Sequence, residues 1–552
     1  MLYRILATVF FVPAALAQDE TNQPDTRAFF PKPSYFRQTF FTRTPKVELR
    51  PPVRIADFVV DGKLELSLRS YLELVMANNT DVQITRLSVE TAKNAIVRAY
   101  ASFDPTAFAS FSSTRTNSPT TEVLQGAQTL STLNQPYNFS YQQRLESGTL
   151  YTVGFSGAKS ATNSQFATFN PSITSNLNVS FQQPLLRNRG TYINRLPISV
   201  ARSNLRLSEY QLRDRLMTLL TDAENAYWDL VLAREDLKVQ EKGLELRDQA
   251  LKRAQRELEL GAIPQLDIYQ PQAEYASAEI QVSQARYRLL QSEDRLRRQI
   301  GADLDPDYRK IPIVPAESVA PSTDTAPIDA EAAVERALAR RPDLKVAIQR
   351  LDVDDLTIKQ AANLLRPILT LTGNYTSQGR GGTFLERQNV FGQSSTLRTV
   401  PGGLGDAFDQ LFGFNFPVYT FGLTLNLPIK NRSAAADMAD AVVRKRQDTL
   451  TVRSTEQAIR LDVLNAVNQV ESSKASVKLA QVFRDLAQKQ LEAELKKYEL
   501  GTSQLYFVLQ FGQTLINAEN TLLQQSIGYR RSLLNLLRRT GELLEERGVV
   551  VQ

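Results

Sequence analysis

The 552-residue chain contains neither cysteine nor histidine. That removes thiol nucleophiles, disulfides, imidazole bases and the commonest zinc and copper ligands together. Carboxylate chemistry remains open, but the acids converge in no motif. No catalytic, metal-ligating or cofactor-binding residue is therefore assigned, and an enzyme is the poorest fit. The residues that stand out lie at turns. Glu259-Leu260-Gly261-Ala262 is matched by Glu499-Leu500-Gly501-Thr502, an offset of 240 (499 − 259). Each glycine sits where a helix would end in a left-handed cap. Asp267 follows the first turn as a helix-start carboxylate, favoured there by the N-terminal dipole. The net charge of +6 falls to +5 without Arg4. So mild an excess reads as solvated helix faces, not as a nucleic-acid site.

The turns belong to a larger repeat. Leu66–Val82 aligns with Ile328–Leu344 at an offset of 262 (328 − 66), without a gap to Phe103-Asp104-Pro105 against Leu365-Arg366-Pro367. Each half predicts a helix, a sheet-like segment, a very long helix, a glycine turn and a helix. The 68 residues Ser433–Leu500 contain no Gly or Pro, and from Ile198 to Leu260 only Gly243 interrupts. Leu216, Ala223, Leu230, Leu237, Leu244, Leu251 and Leu258 recur every seventh residue, the period of a left-handed coiled-coil seam. A helix over 195–260 would span roughly 100 Å, and shorter helices over 81–104 and 264–300, stacked end to end, roughly 90 Å. Thr80 is a candidate N-cap, and Pro342 suits a first helical turn.

The segments between helices alternate. Tyr419, Phe421, Leu423, Leu425 and Leu427 interleave with Thr420, Gly422, Thr424 and Asn426; 151–156 and 176–181 behave alike. Period two with one greasy face suits a lipid-facing barrel with a wet lumen, and equally a half-buried soluble sheet. Six strands are expected, about 106–116, 137–145, 149–159, 173–183, 368–378 and 417–427, with a tight turn at Leu145–Thr149. Four strands is the minimal alternative. Polar or Gly-rich loops are expected at 117–136, 161–172 and 381–415. The N-terminus favours export. Basic Met1–Arg4, apolar Ile5–Leu16 and the small-x-small Ala15-Leu16-Ala17 form a signal peptide, 1–17, leaving Gln18 without the cysteine a lipid anchor needs. No apolar run reaches the roughly 20 residues of a membrane helix. In lipid, a closed barrel is the other permitted solution.

In order and spacing these features resemble the TolC family of outer-membrane efflux proteins. The resemblance is carried by the repeat, by Ala77–Asp81 and Ala339–Asp343, and by the junctions Phe181–Arg187 and Leu425–Lys430. To these add the turns Glu259–Asp267 and Tyr498–Tyr506. It covers about Leu64 to Leu544: a first repeat over 62–300, a linker over 301–327 and a second repeat over 328–544. Outside it lie an extended or partly disordered 18–61 and a tail, 545–552. The resemblance implies an α plus membrane β-barrel fold: a homotrimer sharing one barrel in the outer membrane, above a periplasmic tunnel of antiparallel helices. It implies a mixed equatorial region built from linker and termini. It also implies a periplasmic adaptor docking at Gly261, Ala262, Gly501 and Thr502, and through it an inner-membrane transporter. No cofactor and no nucleic-acid partner are implied.

The family's closed tip is constricted by side chains just past these turns, including carboxylates. Asp267 matches one acidic position, able to form a ring or to pair with a base such as Lys497. The second-half acidic positions carry Phe507 and Gln510, so a gate of apolar packing through Phe507 and Tyr506 is expected. A periplasmic coiled-coil adaptor or a structural coiled coil of the envelope is the alternative. Neither calls for a duplicated plan with alternating strands. In fractionated cells the protein should stay with outer membranes through a carbonate wash, and release into the wash would favour those alternatives.

Overall fold

The computed structural model describes residues 53–60, 62–119, 127–261, 263–303, 306–317, 327–390 and 393–549. The expected signal peptide and nearly all of 18–61 lie outside these. The first repeat opens with helices α1 (Leu68–Asn78) and α2 (Thr80–Tyr100), and the second with α5 (Ala330–Arg340) and α6 (Pro342–Leu364). The long helices are α3 (Leu196–Glu259) and α8 (Arg432–Glu499). Their 64 and 68 residues span about 95–100 Å at 1.5 Å per residue. Each turns back into a shorter helix, α4 (Tyr269–Gln299) or α9 (Leu505–Thr540). Among the described residues no helix is long and apolar enough to cross a membrane.

The end-to-end stacking of short helices is present, and its joints explain the local sequence. Helices α2 and α4 both pack along α3, and α6 and α9 along α8. The cap of α2 is Asn79, not Thr80. The Asn79 side chain accepts from the backbone N–H groups of Asp81 and Val82, while its amide donates to the Gln299 carbonyl at 3.0 Å. The cap thus also ties the start of α2 to the end of α4. In the second half the joint is ionic. Arg341 and Arg539 share Asp462 at 3.3 and 2.7 Å, and Pro342 opens α6 in its first turn as expected. Gly301 and Gly541, again 240 apart, follow the ends of the lower helices at φ +73° and +77°, where a Cβ would lie 3.5 Å from the Asn78 carbonyl oxygen and 3.2 Å from the Arg341 nitrogen, at the joints between the upper helices.

The heptad seam of α3 is fully buried at Leu216, Ala223 and Leu230 and half-buried from Leu237 downward. Gly243 serves a close crossing. A Cβ there would lie 2.7 Å from Ile516 of α9, and one on Gly512 would lie 2.6 Å from Leu246. The equatorial core joins distant parts of the chain. Strand β1 (Val59–Val60) pairs with β2 (Lys63–Leu66), and β2 runs parallel to linker strand β8 (Ile313–Pro315). Tyr71, Tyr227, Ile300 and Leu543 pack in the same cluster. The C-terminal segment is docked too, with Arg547 gripping buried Glu224 at 2.7 and 2.9 Å.

The antiparallel sheet is six columns wide. Column one is broken into β3 (Thr106–Phe111) and β4 (Thr114–Pro119), both pairing with β5 (Thr129–Arg144). Then follow β6 (Leu150–Thr162), β7 (Phe169–Pro184) and β9 (Ile368–Val390). The sixth column is β11 (Pro417–Asn426) on the lower part of β9 and β10 (Gln393–Val400) on its upper part. Between β10 and β11 the chain leaves the column to form helix α7 (Leu404–Phe412). The expected loops 117–136, 161–172 and 381–415 are therefore too long, because polar strands pair well beyond the greasy stretch. The hairpin turn at Leu145–Thr149 is as expected, with Gly148 at φ +90°. In-register rows place Tyr141, Val153, Val179, Tyr375 and Tyr419 on one face. On the other, Asn178 donates to Asn374 and Thr376 at 2.8 and 3.2 Å.

One contact in the upper helices titrates. Buried Asp354 of α6 meets Asp448 of α8, and its carboxyl is pushed up to about 6. Desolvation is the first cause and the Asp448 carboxyl the next, while Arg444 acts in the opposite sense. A carboxyl raised on folding favours the folded state fully below its unfolded value and loses that contribution as pH rises through the folded one. Stability from this contact should therefore fall between about pH 4 and pH 7, by on the order of 1–3 kcal/mol. Asp354→Asn should flatten that part of the pH dependence, read as thermal unfolding midpoints of the detergent-solubilised protein.

Candidate tip and gate

The lower ends of α3 and α8 build two matching turns. Gly501 has φ +73°, its N–H donates to the Tyr498 carbonyl at 3.0 Å, and the Thr502 N–H reaches Lys497 at 3.0 Å. This is a Schellman cap, which satisfies carbonyls the helix leaves open. Gly261 has φ +71° and donates to the Leu258 carbonyl at 2.9 Å; Ala262 lies outside the described residues. A Cβ on either glycine would meet nothing within 4 Å. Backbone conformation, not packing within this chain, requires glycine here. The residue before each glycine is a bare apolar one, Leu260 at 83% and Leu500 at 79% exposure.

The second turn is fastened by residues that sequence reading missed. Glu494, buried, accepts from the Ser503 hydroxyl and pairs with Lys497 at 3.2 Å. These donors hold its carboxyl below the usual range, Ser503 contributing most. Lys497 is thus engaged within its own turn by Glu494. Tyr498 donates to Glu257 of α3 at 2.9 Å, with Arg253 stacked over its ring at 5.5 Å, clasping the two long helices together. Its hydroxyl is pushed up to about 12 by burial and then by the Glu257 carboxylate, so it stays a donor at neutral pH. Deeper in, buried Arg247 of α3 bonds Gln513 of α9 and lies 3.5 Å from Glu274 of α4.

The candidate gate residues fall on two elements. Asp267 is exposed in the helical turn Gln265–Ile268 that leads into α4. Tyr506, Phe507 and Gln510 lie on the first turns of α9, all exposed. Tyr506 and Phe507 form an edge-on pair with centroids 5.4 Å apart. Tyr506 and Phe507 stay 49% and 42% exposed. Among the described residues no cluster of three acids could hold a metal ion.

Two such turns thus end the two long helical hairpins of a chain that also carries a six-column alternating sheet. The chain matches the outer membrane efflux protein family over residues 71–302 and 333–542. It belongs to that family. Among curated relatives, the outer membrane efflux protein BepC of Brucella suis is 23% identical over 352 residues, 62% of this chain and 69% of that one. The pyoverdine export outer membrane protein OpmQ of Pseudomonas aeruginosa is 21% identical over 424 residues, 76% and 78% of the two chains. The fold is shared with CusC, at TM-score 0.61 and 16% identity over 90% of this chain and 99% of that one. It is shared too with the Campylobacter jejuni CmeC channel, at 0.59 and 16% over 88% and 87%. This outer membrane efflux protein is a TolC-like export channel component of the outer membrane, its helices forming the periplasmic part. The family is one of channels, so neither a periplasmic adaptor nor a structural coiled coil describes it.

Tyr498→Phe removes one charge-assisted hydrogen bond, which is worth roughly 1.5–3 kcal/mol. Amide hydrogen exchange across 494–504 should rise while the core around Tyr227 keeps its protection; equal protection in both would mean that the clasp does not hold the tip.

Proposed function

We propose that three copies close into one barrel of 18 strands, six from each, continuous with a helical tunnel that conducts cargo passively. The supporting observation is the pair of open edges: among the described residues β3 and β4 pair only with β5, and β10 and β11 only with β9. An unpaired strand edge is not tolerated in hydrocarbon, so another copy must cover it. The tunnel delivers nothing by itself. Energy and cargo selection come from an inner-membrane transporter joined through a periplasmic adaptor. The exposed pairs Leu260-Gly261 and Leu500-Gly501, with Thr502, offer that adaptor apolar contact and close backbone approach; Ala262, next to Gly261 in sequence, is assigned to the same contact. No residue has a catalytic part.

Three-fold repetition also gives the gate its closing surface. Each Tyr506–Phe507 pair, about half exposed in its own chain, meets its copies across the axis, and Gln510 lines the passage above. Asp267 adds one carboxylate per chain on the neighbouring hairpin. The constriction is then held mainly by apolar packing. Reconstituted Phe507→Ala channels should show a raised closed-state conductance, and Asp267→Asn should change it little. An unchanged closed state in Phe507→Ala with a leak in Asp267→Asn would reverse the assignment.

A further inference from the structure

Helix α7 is unexplained by the conduit. Its apolar residues Leu404, Ala407, Phe408, Leu411 and Phe412 follow the i, i+3, i+4, i+7, i+8 pattern of a one-sided helix. Gly405, Asp406, Asp409 and Gln410 occupy the other side. The helix lies on the face of the sheet that carries Val153, Phe155, Val179 and Tyr375, which is the greasy face. Phe408 meets Phe155 with centroids 5.8 Å apart, and Phe414, just beyond the helix, meets Tyr375 at 6.2 Å.

The sheet is cut away to receive it. A Cβ on Gly379 would lie 1.9 Å from the Ala407 carbonyl oxygen, and one on Gly381 would lie 2.0 Å from that of Gly403. Ser377 donates to the Leu411 carbonyl at 2.7 Å, and Ala407 and Leu411 are fully buried against the strands. The same helix caps the stretch of β9 edge between β11 and β10, where Gln410 accepts from the Arg380 N–H at 3.0 Å. Only part of the apolar stripe is used in this way. Leu404 and Phe412 stay exposed, and so do Phe414 and Phe416 in the descent to β11.

Its height along the barrel is telling. Ten residues separate Leu369, the lowest greasy position of β9, from Gly379. At a rise of about 3.3 Å and a tilt of about 40° that is a climb of about 25 Å, the height of the apolar band on such barrels. The greasy face ends at this level for a second reason. Lys159, exposed, occupies the same face in the row that pairs with Ile173 and Gly381. Where β6 and β9 stop offering large apolar side chains, at Gly157, Lys159, Gly379 and Gly381, the helix offers them instead.

We propose that α7 is an interfacial anchor, lying in the outer boundary between lipid headgroups and acyl chains and fixing how deep the barrel sits. Its occupant is bilayer lipid, because its exposed aromatics continue the lipid-facing band without interruption. A helix with one greasy side and a charged or polar other side lies in that boundary with its greasy side toward the acyl chains. The helix replaces, at this edge of the sheet, the aromatic girdle that strands supply elsewhere.

The inference rests on the barrel reading, and a cysteine-free chain allows both to be tested separately. Nitroxides are attached at Phe412→Cys, Leu404→Cys, Leu423→Cys on the greasy face of β11, and Leu500→Cys at the tip. Full-length protein in phospholipid vesicles is then probed by collision with oxygen and with a water-soluble nickel complex. The oxygen-to-nickel ratio should be highest at 423, lowest at 500 and intermediate at 412 and 404. A ratio at 412 and 404 equal to that at 500 would place α7 in water and overturn the anchor. Immobile nitroxides shielded from both reagents would overturn it in favour of a second copy of the chain. A low ratio at 423 would instead count against the barrel itself. Should Phe412→Cys fail to insert, position 404 carries the same decision.

Discussion

Every backbone N–H and C=O that enters hydrocarbon must find its partner inside the protein. A six-column sheet with two free edges cannot meet that condition alone, and much of the molecule follows from this one deficiency. The strands lie too few to close and too long to hide in a soluble core, and their greasy face is the one that pairs in register across all six columns. In the proposed trimer, closure by copies of the same chain would multiply whatever hangs below the sheet. Four helical stretches per chain would then become a wall, and their lengths must agree.

That agreement is enforced at the two joints where short helices abut. Asn79 serves at once as a helix cap and as a bridge to Gln299, while the pseudo-equivalent position is held by Arg341, Asp462 and Arg539. Both joints rely on a left-handed glycine at the end of the lower helix. The duplicated halves thus keep geometry and exchange chemistry, an amide joint for an ionic one. The tip repeats the theme. Both glycines donate to the carbonyl three residues back, at 2.9 and 3.0 Å, yet one turn is followed by Asp267 and the other by an aromatic pair. The two halves keep the turn and differ in the side chains that follow it.

How much could be read beforehand tracks the range of the forces involved. Helices without Gly or Pro, the sevenfold seam, alternating strands and the hairpin at Gly148 are local patterns, and they read correctly. The cap at Asn79 was misplaced by one residue because Asn79 and Thr80 both suit the role and only the contact with Gln299 decides. Residues 381–415 read as a loop since glycine is ordinarily a turn residue. Here Gly379 and Gly381 instead make room for a helix, a reason that exists only once the helix has packed. Tyr498 and Glu257 stand 241 positions apart, and nothing near either announces the other. The tip glycines were legible because a helix end is local; the candidate gate residues rested on resemblance alone.

The account depends most on closure by three copies. Native mass spectrometry of the assembly, released from detergent in the gas phase, counts the chains directly. A mass of three chains, unchanged across protein concentrations, is the predicted result. A folded, membrane-extracted species of one, two or four chains would contradict it, because six columns each would then close a different barrel or none.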